Sequence, residues 1–357
     1  MILFRYLARE LAGTMMAVSI VLLMILMSGR LIQQLAEAAA GEISLTLVFM
    51  MLLLRLPYFL ELILPLGLFI AILLTYGRLY AESEMTVLTA TGFSNRKLLG
   101  YTLIPAACVM VVVALFSLVL SPWGAQKTEI LFQQQAQMTE FEMLIPGRFQ
   151  SAGRSSGRTT YAERLSDDKK EMRGVFLADG QSVIVAETGT QYVSDDTGSR
   201  FLELHQGRRY DLTPNEVELQ VLEFERYGVK IADQPEQRRR IRKEALATAD
   251  LWGSDDLRDI SQLQWRLSMI LMVPIVTLLA FPLSKVNPRQ GRFARLFPAI
   301  LLFMVYIATL ITLTSLIDKG RLDPAIGVWP LHAAYVAIGV GLMLIPEWLR
   351  RQKVKSL

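Results

Sequence analysis

The chain has 357 residues, 52% of them hydrophobic, a net charge of +4 and a mean hydropathy of +0.36. A chain this long and this apolar is not an ordinary soluble protein. One cysteine (Cys108) and two histidines (His205, His332) exclude an intrachain disulfide, a cysteine metal cluster and a histidine-rich metal site, and no cofactor is expected.

The first element is an apolar run over 11–32, behind a short head with Arg5 and Arg9. AEAAA at 36–40 has the look of a signal-peptidase site, but the apolar run exceeds a typical signal core and Glu10 is foreign to a signal head. The run is therefore read as a membrane helix. Residues 43–76 exceed what one crossing needs; Arg55 and Pro57 mark an interfacial piece followed by a span over 56–76. A third span is expected over 98–120, ended by Ser121-Pro122, and three more over 267–286, 296–317 and 325–345. Prolines 65, 105, 274, 282 and 298 fall in or near spans, where neighbouring groups satisfy the freed carbonyls.

Between spans three and four, residues 122–266 carry 20 Lys/Arg against 24 Asp/Glu, whereas the rest of the chain carries 17 against 9. An acidic polar insert thus interrupts a basic membrane chain. Short runs with β-branched residues or alternation, 149–152, 159–164, 172–178, 182–187, 201–205 and 217–227, predict strands. Turn signals such as Asp179-Gly180 and Pro214-Asn215 separate them. The expected fold is an α-helical membrane protein with six transmembrane helices and an inserted β-sandwich or jelly roll. Its parts are 1–121 (three spans), 122–266 (insert with flanking linkers) and 267–357 (three spans and a tail). A helix over 123–142 and a charged linker over 232–259 flank the strands.

Thirteen bases fall on one side of this arrangement. They lie in the N-terminal head, between spans two and three, between spans four and five, and in the tail 350–355. The opposite short loops hold only Arg30, Lys319 and Arg321. Positive charge stays cytoplasmic, so both termini are expected inside and residues 122–266 outside.

The polar stretch GRLYAESEMTVLTATGFSNRK (77–97) stands between spans two and three. Tyr80–Thr91 lacks Pro and Gly, which predicts a three-turn helix with Tyr80, Glu84, Val87, Leu88 and Thr91 on one face and Glu82, Met85, Thr86 and Thr89 towards the other. A helix lying on lipid favours Lys and Arg; here the middle is acidic, with Arg78, Arg96 and Lys97 at the ends. A carboxylate on an apolar face fits a protein pocket better. The stretch is therefore read as the contact through which a cytoplasmic motor moves the membrane part.

Catalytic motifs are absent: no Walker A sequence, no H-E-x-x-H and no G-x-S-x-G. No enzyme activity is expected of this chain, and ATP hydrolysis would need a separate partner. Glu61 lies within span two, where a carboxylate is costly and marks a cavity or interface, or else is paired or neutral. Arg30, Arg55, Lys319 and Arg321 sit at outer helix ends. They are read either as snorkelling anchors or as a rim that binds lipid phosphates.

FPLSKVNPRQGR (281–292), followed by LFPAILLFMVY (296–306), resembles the signature of the LptF/LptG permeases of the lipopolysaccharide exporter, and GRLYAESEMTVLTATGFS (77–94) resembles their coupling region. The opening MILFRYLARE is closer to the LptF branch, and the resemblance runs over the whole chain. It implies a heterodimer with an LptG-like permease and an LptB-like ATPase dimer. It also implies an outer jelly roll that adjoins an LptC-like bridge protein and passes on lipopolysaccharide taken from the outer leaflet of a Gram-negative inner membrane. Glu84 matches the family's acidic coupling position, and spans one and five would bring Arg30, Lys319 and Arg321 to the lateral opening. Two other classes stay open: another ATPase-coupled, force-transmitting complex, and a secondary transporter. The latter would use midplane carboxylates, of which Glu61 is the only candidate, and often an internal repeat, of which none is visible.

Overall fold

The computed structural model describes residues 2–39, 45–137, 146–152, 158–166, 171–179, 182–193, 200–211, 220–230, 243–285 and 296–355. These form two compact units: Met1–Gly29 with Leu52–Glu129 and Ile241–Leu357, and Arg30–Met51 with Ile130–Arg240.

The long helices are α1 (Ile2–Ala39), α2 (Leu45–Ala81), α4 (Asn95–Leu115) continuing through a π turn (Phe116–Leu120) into α5 (Ser121–Gln137), α7 (Leu257–Leu283), α8 (Leu296–Asp318) and α9 (Trp329–Lys355). Short elements are α3 (Glu84–Ala90), a 3-10 turn (Lys243–Ala245) and α6 (Thr248–Leu251). Among the described residues, five helices are long and apolar enough to cross a membrane; α9 is apolar over Trp329–Leu344. α2 and α7 form the centre of the helical unit: 61% and 67% of their most apolar stretch is buried, against 11% for α1. An outer ring this apolar and this exposed is stable only in lipid or against other apolar helices. Small residues set the helix spacing. A Cβ on Gly67 of α2 would strike the Ser19 hydroxyl of α1, and one on Gly124 of α5 would strike the Leu54 carbonyl of α2.

Two expected breaks are corrected. α2 is one continuous helix through Pro57 and Pro65 rather than an interfacial piece followed by a span. Ser121-Pro122 does not end the third span either. Pro122 lacks the N–H that would bond the Leu118 carbonyl four residues back. The chain instead widens into the π turn, where the Ser121 N–H bonds the Phe116 carbonyl. Leu118 O accepts the Thr248 hydroxyl at 2.5 Å.

The second unit contains six antiparallel strands in sequential order: β1 (Gln150–Ala152), β2 (Arg158–Leu165), β3 (Glu171–Asp179), β4 (Ser182–Val193), β5 (Arg200–Asp211) and β6 (Gln220–Lys230). All six expected strands are present; the turn signals between β1 and β6 lie mostly outside the described residues. Each strand from β2 to β6 omits one pairing, along the row Glu163, Gly174, Glu187, Gln206, Glu225. Gly174 (φ 61°) and Gln206 (φ 52°) are left-handed there. Across this row the inward residues are three apart instead of two: Ala162 and Leu165, Met172 and Val175, Phe224 and Tyr227 all join one apolar cluster. The row is a crease. One opposed pair per ladder is unbonded, the register runs on unchanged, and the inward parity switches across the row, within a single six-stranded antiparallel meander.

Candidate functional site

The stretch after α2 is an elbow, not a continuous helix. α2 ends at Ala81, Ser83 is left-handed at φ 63°, and α3 starts at Glu84. The expected face from Tyr80 to Thr91 is therefore divided. Tyr80 closes α2, half-buried; Val87 is 63% exposed; Leu88 is half-buried; and Met85, expected on the polar side, is 1% exposed and anchors α3 in the core. α3 stops by a Schellman motif: Gly92 is at φ 85°, and the Phe93 and Gly92 N–H groups bond Leu88 O and Thr89 O. Ser94 then caps α4 by accepting the Lys97 N–H. Glu84 is half-buried, and its Oε2 accepts the Tyr6 hydroxyl at 3.3 Å. Beside it, Arg78 pairs with Glu10 at 2.8 Å.

Glu61 belongs to a second place, a buried polar node. It is 2% exposed, its Oε2 has no hydrogen-bond partner, and it lies near Ser117, Ser121, Trp265 and the Arg266 charge. Arg266, also 2% exposed, donates to Thr248 Oγ1 (2.7 Å), Leu246 O (2.8 Å) and Glu244 O (3.2 Å). The Thr248 hydroxyl in turn donates to Leu118 O, so one chain of hydrogen bonds runs from α7 through α6 to the carbonyl freed by Pro122. Lys243 adds an ion pair with Asp318 at 3.1 Å and donates to Ser261 Oγ at 3.2 Å. The node fastens residues 243–251 to α7, α8 and the π turn. A third polar group links the last helices: the Tyr306 hydroxyl and His332 Nδ1 are 2.6 Å apart, and His332 Nε2 and Ser268 Oγ 2.9 Å.

Arg30 donates to Gln33 Oε1 within α1. Lys319 and Arg321 are exposed after α8, which a Schellman motif around Gly320 (φ 68°) terminates. Arg30 lies in one compact unit and the other two bases in the other. The signature bases Arg289, Arg292 and Arg295 lie outside the described residues. Arg266, Thr248 and Tyr6 carry the contacts that sequence reading missed. Arg266 had a signal, a base inside the apolar run of α7; Tyr6 had none.

Helices with an apolar exterior, a polar elbow after the second and a β insert between the third and fourth define a multi-span membrane protein with an inserted β domain. The family profile for the lipopolysaccharide export system permease LptF/LptG matches residues 5–345. Over 351 residues the chain is 32% identical to the lipopolysaccharide export system permease protein LptF of Escherichia coli K12, covering 96% of this chain and 95% of that one, and the same values hold for the LptF of Shigella flexneri. The chain belongs to the LptF/LptG permease family.

Proposed function

We propose that this chain is the LptF-type permease subunit of an ATP-driven exporter that takes lipopolysaccharide from the outer leaflet of the inner membrane and passes it to a periplasmic β bridge. The family match over nearly the whole chain carries this reading. Its partners are an LptG-like permease, an LptB-like ATPase dimer and an LptC-like bridge protein. The termini and the elbow are cytoplasmic, and the insert within 122–266 is periplasmic, its apolar cluster sheltering acyl chains. Energetics favour a motor: each methylene withdrawn from the bilayer costs about 0.8 kcal/mol, so a lipid with several chains needs both shelter and an energy source.

Glu84, with Tyr80, Val87 and Leu88 around it, is the proposed motor contact. Val87 projects from α3 as an exposed apolar residue next to the carboxylate, which suits a pocket combining a base with an apolar floor. Glu84→Ala removes a charged hydrogen bond worth roughly 1.5–3 kcal/mol, so ATPase binding is expected to fall about tenfold to a hundredfold; Glu82→Ala is expected to do much less. Arg30, Lys319 and Arg321 are the proposed phosphate rim, and Glu61 acts from within the node. Mass spectrometry of lipid bound to the purified complex tests the whole reading. Lipopolysaccharide is expected; its absence from an ATPase-containing complex points to another force-transmitting assembly, and absence of any ATPase to a secondary transporter.

A further inference from the structure

α3 does not fix its own first residue. It has seven residues, it follows a left-handed Ser83, and no side chain caps its start. An isolated helix of two turns is unstable in water, so the direction of the Glu84 carboxylate must be set from elsewhere. The first three turns of α1 supply the setting, touching each arm of the elbow in turn. Phe4 meets Tyr101 of α4 edge-on, with ring centroids 5.5 Å apart, and Phe93, just past α3, meets the same ring at 5.4 Å. Tyr6 reaches Glu84 at the start of α3, and Glu10 pairs with Arg78 near the end of α2. On the same face of α1 as Phe4, at i+3 and i+7, Leu7 and Leu11, each 2% exposed, enter the core that also holds Met85. The splint is therefore itself anchored.

The bond to Glu84 has a particular consequence. Among the described residues no Lys or Arg forms an ion pair with Glu84, and Arg78, the nearby base, is taken by Glu10. The phenol occupies one acceptor position on Oε2, whereas an ionised carboxylate offers about four. The charge stays uncompensated while its rotamers are restricted. We propose that Tyr6 is the positioning residue for the motor contact: its hydroxyl holds Glu84 Oε2 so that Oε1 faces a base on the ATPase. Fixing the carboxylate beforehand lowers the ordering cost of docking, and α1 becomes part of the coupling apparatus although it precedes the elbow by some 70 residues in sequence. This inference rests on the reading of Glu84 as the motor contact.

A double-mutant cycle on the complete permease complex tests it, with the dissociation constant of the purified ATPase subunit as readout and the melting temperature of each permease variant as a control. Tyr6→Phe removes only the hydroxyl and is expected to weaken binding about threefold to tenfold with an unchanged melting temperature. Glu84→Gln is expected to weaken it more, and Tyr6→Phe added to Glu84→Gln is expected to change nothing further. Glu84→Asp keeps the charge but withdraws it from the phenol, and should match Tyr6→Phe. Additive losses in the cycle, or wild-type binding by Tyr6→Phe, overturn the positioning role. A lowered melting temperature with no coupling between the two sites also overturns it and leaves Tyr6 a packing residue. Wild-type binding by Glu84→Gln fails differently: it removes the motor-contact reading itself.

Discussion

Replacing Arg266 by Met keeps the aliphatic stem and deletes the guanidinium from the node. Three hydrogen bonds go with it, to Thr248 Oγ1, Leu246 O and Glu244 O. Two carbonyls are left without a donor at a site where the arginine was 2% exposed, and each orphaned buried group costs about 1–3 kcal/mol. Glu61 Oε2, already without a hydrogen-bond partner, also loses the neighbouring positive charge. The two carbonyls together put the cost at roughly 2–6 kcal/mol. For a helical unit of this size the melting temperature should fall by on the order of 10 °C, measured on detergent-purified protein. Arg266→Lys, which keeps the charge but not the planar fork, should fall between. In the Arg266→Met background, Glu61→Gln should recover part of the loss, because it removes an uncompensated buried carboxylate. An Arg266→Met protein melting within about 2 °C of wild type, where the loss should be several times that, would refute the view that this arginine fastens residues 244–248 to the bundle.

Other perturbations probe different parts of the protein. Reporter fusions at Ser94, Gly198 and Ser356 should report cytoplasm, periplasm and cytoplasm, and cytoplasmic labelling at Gly198 would reverse the proposed orientation. At the rim each base contributes on the order of 1 kcal/mol near an anionic surface. Arg30→Ala should therefore cost little, whereas Arg30→Glu with Lys319→Glu should strip bound lipopolysaccharide from a correctly assembled complex; wild-type lipid content in that double variant rejects the phosphate rim. Ser83→Gly relieves a left-handed residue at φ 63° and should stabilise the resting elbow by about 1 kcal/mol. An unchanged or lowered melting temperature would mean that the elbow carries no such strain.

The strands were legible because alternation and turn residues both mark them, and the long helices because apolar length alone suffices. The breaks were less so. Pro122 reads as a stop, yet the Leu118 carbonyl it frees is satisfied by Thr248, some 130 positions away, and no local pattern carries that information. Ser83 reads as helix interior, since neither Gly nor Pro marks the turn. The division of α3 into faces went wrong with it: once the helix restarts at Glu84, its angular origin is set by the elbow, and Met85 rather than Val87 turns inward. Glu61 was recognised as costly in a membrane, but its surroundings come from segments far along the chain. Strict period-two reading fits each half of the β strands and fails across the crease, where Gly174 was the one visible signal.

The crease is a collective property of the sheet. The pairings on both sides keep step because β2 to β6 all carry one unpaired residue at the same level. Deleting Glu187 alone would put one half of β4 out of phase with both neighbours and turn its side chains to the wrong face. No single-residue deletion along the row is therefore a small step; the offset is kept by all five strands or abandoned by all of them. Gly174 is the exception, since a side chain there would meet Glu163 from a left-handed backbone; other substitutions along the row leave the phase untouched, so these positions should tolerate changes of residue type more readily than changes of length.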